Sequence, residues 1–271
     1  MKQSGKIQKQ NVIAIIPARL FSTRLVNKLL LELNGKPLIL HTLEQAKKAR
    51  NISRVIVATD SEAILKVVEA SGNEAILTSE KHQSGSDRIA EVAETLPENS
   101  IIVNVQGDEP LIPPATIDSA VEAILADDSI QMATTCEVIK NINDVLSPDV
   151  VKVVTDANGF ALYFSRSPIP FPREMIRRYY NFESVPRMDG DFPALYRKHT
   201  GLYVYRREFL LKFAKLEQTN LEKIEMLEQL RALENGARIK VVEVTESSVG
   251  VDTAEDFKRV RMILENRQSP S

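Results

Sequence analysis

The stretch that decides the fold is "VIAIIPARLFSTRLVNK", residues 12–28. It begins with five apolar residues and a proline, which is typical of a short strand buried on both faces. Three cationic and two hydroxyl side chains follow within the next dozen positions. Ligands of open α/β sheets bind at the carboxyl ends of strands. The stretch therefore predicts a buried strand that opens into an anion-binding loop.

The same alternation continues along the first half of the chain. Short apolar runs bounded by Pro, Asp or Gly predict strands, and amphipathic segments of about ten residues between them predict helices. The predicted strands are 12–16, 55–58, 75–77 and 101–105, and the predicted helices are 38–49, 61–70, 87–96 and 115–125. Strands that alternate with helices in this way indicate βαβ units and a parallel sheet covered on both faces.

The second half of the chain has a different pattern. The segment "VVKVVTDANGFALYFS", residues 150–165, has two β-rich runs around an Asn-Gly turn signal, which predicts a hairpin. Further predictions are a strand at 198–205, a helix at 221–233, a strand at 238–244 and a final helix begun by Thr253 and Asp256. We predict an α/β protein with a mainly parallel mixed sheet flanked by helices, plus an antiparallel β excursion. The chain is expected to form a single domain, with 1–11 and 265–271 as disordered tails.

Composition narrows the classes of function. The 271 residues are 43% hydrophobic and 27% charged, so the chain can bury a sizeable core. The chain has 35 Lys and Arg residues against 37 Asp and Glu residues, so it lacks the excess of positive charge that attracts nucleic acid. No apolar run approaches the roughly 20 residues that cross a bilayer. We expect no nucleic-acid or membrane partner, and the lone Cys136 with no secretory signal predicts a cytoplasmic protein.

The loop after the first strand carries the clearest chemistry. Guanidinium, ammonium and hydroxyl donors within one short segment suit a polyphosphate. The loop contains no glycine, so it is neither a P-loop nor a dinucleotide-binding turn, and side chains would have to bind the anion. A basic loop that only faces water is the alternative.

Two acidic segments are candidates for a metal. In "VNVQGDEP", residues 103–110, a buried strand ends at Asp108 and Glu109, whose oxygens suit Mg²⁺. A solvent-facing turn before Pro110 is the alternative. Asp252 lies between a predicted strand and a predicted helix, where a helix N-cap is the simpler interpretation.

Later segments predict a wall of a pocket. Alternation along 198–205 puts His199, Gly201, Tyr203 and Tyr205 on one face, which suits either a sugar or an aromatic interface. On the predicted helix 221–233, a core stripe separates from a polar face. The core stripe is Ile224, Leu227 and Leu230, and the polar face is Glu225, Glu228 and Gln229. Arg166 ends the hairpin and could hold a carboxylate or pair with a surface acid.

Eight ordered segments carry a family resemblance that covers about residues 11–264. They are "IIPARLFSTRLVNKLL", "VATD", "HQSGSDRIAEV", "VNVQGDEPLI", "ALYFSRSPIP", "KHTGLYVYR", "KIEMLEQLR" and "GVDTAEDFKRVR". Together they resemble the bacterial cytidylyltransferases that activate 3-deoxy-manno-octulosonate (Kdo). Related enzymes for sialic acids share the start of the first segment, whereas the later segments resemble the Kdo branch.

The resemblance implies a nucleotide-diphospho-sugar-transferase-like fold and a homodimeric transferase. Such an enzyme uses Mg²⁺ and couples CTP to a small sugar acid, giving CMP-Kdo and pyrophosphate for lipopolysaccharide synthesis. The alternatives are a cytidylyltransferase for another ulosonic acid, such as 8-amino-Kdo or a sialic acid, and an inactive nucleotide-binding homologue.

The resemblance also implies roles for individual residues. Those expected at the nucleotide are Arg19, Ser22, Thr23, Arg24, Lys28, Arg88 and Gln106; at the sugar, Arg166, His199, Tyr203, Glu228 and Gln229; and at the metal, Asp108 and Asp252. Arg19, Lys28, Asp108 and Asp252 are the expected catalytic set. In the first loop Val26, Asn27 and Leu29 stand where the family has Pro, Gly and Pro. Asn27 can adopt the left-handed conformation that such a turn needs.

Overall fold

The structure is a computed structural model that describes residues 11–20, 25–182, 184, 192–246 and 248–268. The strands are β1 Val12–Ala18, β2 Glu32–Leu33, β3 Lys36–Pro37, β4 Arg54–Thr59, β5 Glu74–Leu77, β6 Ile101–Asn104, β7 Met132–Val138, β8 Lys152–Thr155, β9 Ala161–Ser165, β10 Arg197–Arg206 and β11 Ile239–Glu243. The helices are α1 Leu38–Lys48, α2 Glu62–Ala70, α3 Gly85–Glu94, α4 Pro114–Leu125, α5 Ile142–Leu146, α6 Arg173–Tyr179, α7 Arg207–Phe213, α8 Asn220–Glu225, α9 Gln229–Glu234 and α10 Ala254–Gln268.

Nine of the strands form one sheet, in the order β11-β7-β10-β6-β1-β4-β5, with β8 joined to β10 and β9 joined to β8. The central strand β1 pairs in parallel with both β4 and β6. In contrast, β10 runs antiparallel to β6 and β7, and the hairpin β8–β9 is antiparallel. The predicted mainly parallel mixed sheet and its antiparallel excursion are confirmed.

Alternate residues of β1 enter two separate cores. Ala14 and Ile16 belong to the core beneath α1 and α4, and Ile13 and Ile15 belong to the core beneath α3 and α7. Because helices cover both faces, the strands are apolar on both sides, which explains the continuous apolar run in the sequence. Among the helices in the described part of the chain, none combines the length and apolar character that a bilayer crossing requires.

Strand direction determines where the loops meet. The carboxyl ends of β1, β4, β5, β6 and β7 lie at one edge of the sheet, and β10 begins at that edge because it runs the other way. We call this the carboxyl edge. Residues that follow the parallel strands and residues that begin β10 are therefore neighbours in space, although they are far apart in the chain.

Gly107 allows two of these loops to approach closely. A Cβ at this position would lie 3.0 Å from the main-chain oxygen of Pro17 and 3.2 Å from Cδ1 of Ile39. The Thr42 hydroxyl donates to the Gly107 carbonyl at 2.9 Å, which holds the segment after β6 against α1. The glycine therefore brings Asp108 next to the end of β1.

The predicted continuous helix at 221–233 is wrong. A capping box between Thr219 and Glu222 begins α8, and Met226 in the left-handed conformation (φ 53°, ψ 49°) ends it before α9 begins. Ile224, predicted to lie in the core, is 79% exposed, whereas Leu227 and Leu230 are buried as predicted. The break permits the buried Arg231 to lie over the Phe213 ring and beside Glu222, a tertiary contact that a helical pattern does not contain.

The last helix also extends further than the sequence indicated. It continues to Gln268, past residue 265, where we predicted the start of a tail. Residues 1–10 and 269–271 of the predicted tails lie outside the described residues.

We expect Gly107→Ala to lower the free energy of unfolding by about 1–3 kcal/mol, the usual effect of overpacking, since the added methyl presses on main-chain atoms. Urea denaturation measures this change. Gly85→Ala is the matched control, because its Cβ would meet Pro17 at an ordinary 3.5 Å. Equal stability of the two variants would contradict the close approach at Gly107.

Candidate active site

Lys28 lies at the centre of the candidate site. Its Nζ donates to Oδ2 of Asp108 at 2.5 Å, to Oδ1 of Asp252 at 2.8 Å and to the carbonyl of Val251 at 3.1 Å. These residues come from the segments after β1 and β6 and from the segment before α10. The structure therefore brings the predicted cation and both predicted metal carboxylates to one point at the carboxyl edge.

The turn before Lys28 has the conformation that the sequence analysis expected. Asn27 is left-handed (φ 52°, ψ 31°), and its carbonyl accepts from the Leu30 amide at 2.9 Å. Asn27 thus adopts the left-handed conformation that the turn needs. The neighbouring Ser22, Thr23 and Arg24 lie outside the described residues.

The two carboxylates keep Lys28 charged. Burial by itself would lower the pKa of the Lys28 ammonium, but the adjacent charges and hydrogen bonds of Asp108 and Asp252 outweigh burial and raise the pKa above its usual range. The side chain of Asp108 is 28% exposed and that of Asp252 is 54% exposed. The cluster is therefore open to solvent on the acidic side, where a ligand can reach it.

The loop that carries Asp252 is held from two sides. The Val251 amide donates to the Asp108 carbonyl at 2.8 Å, and the amides of Asp252 and Thr253 donate to Oδ2 of Asp256. The Thr253 hydroxyl accepts in return from the Asp256 amide at 3.1 Å. Thr253 is thus the capping residue of α10, and the carboxylate of Asp252 lies against Lys28.

Glu109, the neighbour of Asp108, has a carboxyl group whose pKa is strongly raised. Burial, and then the charge of Asp108, raise the pKa of Glu109 to about 8, so the carboxyl is largely protonated at neutral pH. Its Cγ lies against Gly250, and it is partly buried rather than turned to solvent. Of the two adjacent acids, Asp108 is the one that contacts Lys28.

The two remaining predicted nucleotide arginines lie in different surroundings. Arg19 is partly exposed at the end of β1 and donates to the His82 carbonyl at 3.1 Å. Arg88 is fully buried and donates to Oδ2 of Asp60 at 2.6 Å and to the Thr78 hydroxyl. The described contacts of Arg88 thus join α3 to the ends of β4 and β5, which is a structural position.

Three of the predicted sugar residues form a second cluster. His199 packs against Tyr203 with ring centroids 5.2 Å apart, and the charge of Glu228 reaches Tyr203. Glu228 accepts from the Ser86 hydroxyl at 2.5 Å, and Gln229 follows it at the start of α9. Within the described residues, Oη of Tyr203 and Nε2 of Gln229 are buried and have no hydrogen-bond partner. Buried polar atoms of this kind point to a polar ligand, because leaving them unpaired is costly.

The tautomer of His199 follows from its neighbour. The Thr134 hydroxyl donates its one proton to the Leu202 carbonyl at 2.6 Å, so at 2.8 Å it accepts from Nε2–H of His199. Burial lowers the pKa of His199 to about 3. The imidazole is therefore neutral, and a charged interaction with a sugar carboxylate is not available from it.

Arg166 binds main-chain carbonyls among the described residues. Its guanidinium donates to the carbonyls of Glu225 at 2.7 Å, Pro148 at 2.8 Å and Met226 at 3.3 Å. The surface acid alternative is wrong for the guanidinium, since it is the Arg166 amide that donates to the Glu225 carboxylate, at 2.9 Å. Gln106 is partly exposed at the end of β6 and donates to Oδ1 of Asn104 at 3.3 Å.

Sequence reasoning missed the residues that hold these side chains. Asp60, Ser86, Thr134 and Glu225 all bind a predicted site residue. All but Thr134 lie in the segments that carry the resemblance, but nothing in the local pattern indicated which side chain each would bind. Lys152 had one usable signal, which is a lysine in the middle of an apolar strand pattern.

Known proteins share this fold and these segments. A family model described as Cytidylyltransferase matches residues 13–239. The 3-deoxy-manno-octulosonate cytidylyltransferase of Trichlorobacter lovleyi is 52% identical over 250 residues, 92% of this chain and 97% of that protein. The protein of the same name from Geotalea daltonii is 52% identical over 256 residues, 94% of this chain and 99% of that protein.

The chain belongs to the 3-deoxy-manno-octulosonate cytidylyltransferase family.

Solved structures agree with this membership. A CMP:2-keto-3-deoxy-manno-octonic acid synthetase complexed with CTP superposes with a TM-score of 0.84 at 36% identity, covering 95% of this chain and all (100%) of that one. A cytidylyltransferase from Leptospira borgpetersenii has a TM-score of 0.60 at 18% identity, covering 96% of this chain and 89% of that one, and shares the fold.

His199 gives this member of the Kdo cytidylyltransferase family a predictable pH dependence of stability. An unfolded histidine titrates near pH 6.5, so below that pH the unfolded state binds a proton that the buried imidazole does not. Between pH 7.5 and 5.5 we expect this difference to remove about 1.4 kcal/mol from the free energy of unfolding. In His199→Gln the decrease over this interval should be smaller by that amount.

Urea denaturation at the two pH values measures the decrease in each protein. The variant His41→Gln controls for the loss of a histidine elsewhere. An unchanged decrease in His199→Gln would mean that His199 is protonated in the folded protein.

Proposed function

We propose that this protein is a 3-deoxy-manno-octulosonate cytidylyltransferase, which couples CTP to the anomeric hydroxyl of Kdo and releases pyrophosphate. The observation that carries the proposal is the contact of Lys28 with both Asp108 and Asp252 at the carboxyl edge of the sheet. The names of the relatives at 52% identity support the choice of substrates.

In the proposed reaction, the anomeric oxygen of the sugar attacks the α-phosphorus of CTP in line with the bond to the departing pyrophosphate. The new O–P bond forms, the bond between the α-phosphorus and the bridging oxygen breaks, and the hydroxyl proton passes to solvent. Charge on the phosphates is offset by Arg19 and Lys28, whose side chains lie at the end of β1 and in the turn after it. Positioning and charge, rather than a covalent intermediate, supply the catalysis.

The acidic pair suits Mg²⁺. Asp108 and Asp252 contact one ammonium, so a single cation can lie between their oxygens. No group of three or more His, Cys, Asp or Glu side chains fit for a metal is found among the described residues. Mg²⁺ is commonly held by one or two carboxylates together with substrate phosphates. When bound, Mg²⁺ would supply positive charge to the triphosphate.

The second cluster suits the sugar acid. Oη of Tyr203 can donate to or accept from a sugar hydroxyl, Nε2 of Gln229 can donate to one, and Glu228 can accept from one. Because a buried polar atom without its partner is penalised, such a site discriminates against substrates that lack the matching hydroxyl. Arg166 supports the segment that bears Glu228 through the Met226 carbonyl.

We also propose that the protein acts as a homodimer in the cytoplasm and supplies lipopolysaccharide synthesis. These statements rest on the family resemblance. Light scattering on the purified protein tests the dimer.

A panel of sugar acids tests the reaction. We expect pyrophosphate release only when CTP, Kdo and Mg²⁺ are present together, with 8-amino-Kdo and sialic acid at least tenfold slower. If either alternative acid is turned over faster than Kdo, that acid is the substrate and the proposal for Kdo is wrong. Calorimetric binding of CTP without turnover of any acid would support an inactive nucleotide-binding homologue instead.

Lys28→Met should lower kcat by about 10²- to 10³-fold, the usual effect of removing one donor to a developing anion. Steady-state pyrophosphate release measures the loss. Lys36→Met is the matched control, because Lys36 makes a surface ion pair with Glu44 and should change kcat less than about twofold, in keeping with the small energies of surface pairs. A Lys28→Met enzyme with wild-type kcat would remove Lys28 from the catalytic set.

A further inference from the structure

Lys152 is an unusual buried cation. It is 0% exposed in β8, and its Nζ donates to the carbonyls of Ser147 at 2.9 Å, Val150 at 2.6 Å and Arg166 at 2.5 Å. Within the part of the chain that the structure describes, no carboxylate lies within ion-pair distance of it. Burial accordingly lowers the pKa of the Lys152 ammonium. A buried charge with only carbonyl partners is costly, and an apolar side chain of similar size commonly replaces such a group without loss of stability.

The three carbonyls that Lys152 binds belong to two segments that meet at Arg166. One is the main chain of Arg166 itself, and the other is the turn 147–150. The guanidinium of Arg166 also contacts this turn, through the Pro148 carbonyl at 2.8 Å. Lys152 therefore fixes both the backbone of Arg166 and the surface against which its side chain lies.

Hydrogen bonds of Arg166 connect Lys152 to the segment that carries the sugar residues Glu228 and Gln229. Its Nε donates to the Glu225 carbonyl, and the Glu225 carboxylate accepts from the Arg166 amide at 2.9 Å and from the Ser165 hydroxyl at 2.7 Å. Met226, whose carbonyl also accepts from Arg166, is the left-handed residue between α8 and α9. Glu228 and Gln229 lie two and three residues beyond Met226.

We propose that Lys152 is a positioning residue for the sugar-acid side of the site. Its ammonium holds Arg166, and through Glu225 and Met226 it sets the orientation of Glu228 and Gln229. The KM measurements for this inference rest on the proposed function, whereas a measurement on the free protein does not. It concerns the sugar acid and not the nucleotide, because the Lys28 cluster is built from other segments.

Lys152→Met tests the proposal, since methionine fills nearly the same volume without the charge. We expect KM for the sugar acid to rise by tenfold or more, the size of one lost hydrogen bond to a charged group. KM for CTP should change by less than about twofold, because Lys152 has no contact with those residues expected at the nucleotide that the structure describes. Equal changes in both KM values, or none in either, would overturn the positioning role.

Arg207→Met is the matched control for the loss of a cation that anchors carbonyls. Arg207 lies at the opposite edge of the sheet and donates to the carbonyls of Ala93 at 2.6 Å and Glu94 at 2.9 Å. This variant should lose stability and keep both KM values. If it reproduces the KM change of Lys152→Met, the effect is general destabilisation and the proposal fails.

A second variant and a readout without turnover complete the test. Glu225→Gln should give the same selective rise in KM, and the double variant with Lys152→Met should cost less than the two changes summed, because both act through Arg166. In the free protein, hydrogen exchange at the amides of 165–167 and 225–229 should accelerate at least tenfold in Lys152→Met and not in Arg207→Met. Unchanged exchange refutes the inference about Lys152, whereas lack of wild-type turnover on Kdo refutes the proposed function alone.

Discussion

The site depends on one ammonium between two carboxylates. Lys28 joins Asp108 and Asp252, which lie 80 and 224 residues away in the chain, and so it ties the loop after β1 to the segments after β6 and before α10. Two carboxylates that contact the same ammonium repel each other, so Lys28 lowers the cost of bringing them together. The ion pairs that stabilise the folded protein therefore also form a candidate binding site. A ligand cation could bind the two carboxylates there, and a ligand anion could bind the ammonium of Lys28.

Several polar side chains are buried around the site, and the three described next form hydrogen bonds near the carboxyl edge. Arg88 orders the ends of β4 and β5, and Lys152 orders the end of β9. His199 is neutral and bonded to Thr134. Each of these groups costs desolvation and is compensated by hydrogen bonds. Eleven buried side-chain atoms of the described residues have no hydrogen-bond partner, and Oη of Tyr203 and Nε2 of Gln229 are the two that belong to the predicted sugar residues.

Local sequence was sufficient for most of the fold because the strands are covered on both faces. An apolar run such as 12–16 has few alternatives to a buried strand, and the Asn-Gly signal near residue 158 has few alternatives to a hairpin turn. The helix predicted at 221–233 failed for the opposite reason. Its break at Met226 accompanies the contacts of Arg231 with Phe213 and Glu222, and those partners are not visible in a periodic pattern.

By itself, the sequence determined the class of fold, the cationic loop and the position of Asp108 and Glu109 at the same edge, since these follow from hydrophobic period, turn residues and the direction of parallel strands. The role of Asp252 was implied only by the family resemblance. Only the tertiary structure decided which side chains are available to a ligand. Arg19 and Arg88 have the same chemistry, yet Arg19 is partly exposed at the end of β1, whereas Arg88 is fully buried and bound to Asp60 and Thr78. Availability depends on burial and on partners that are distant in the chain, and a sequence pattern records neither.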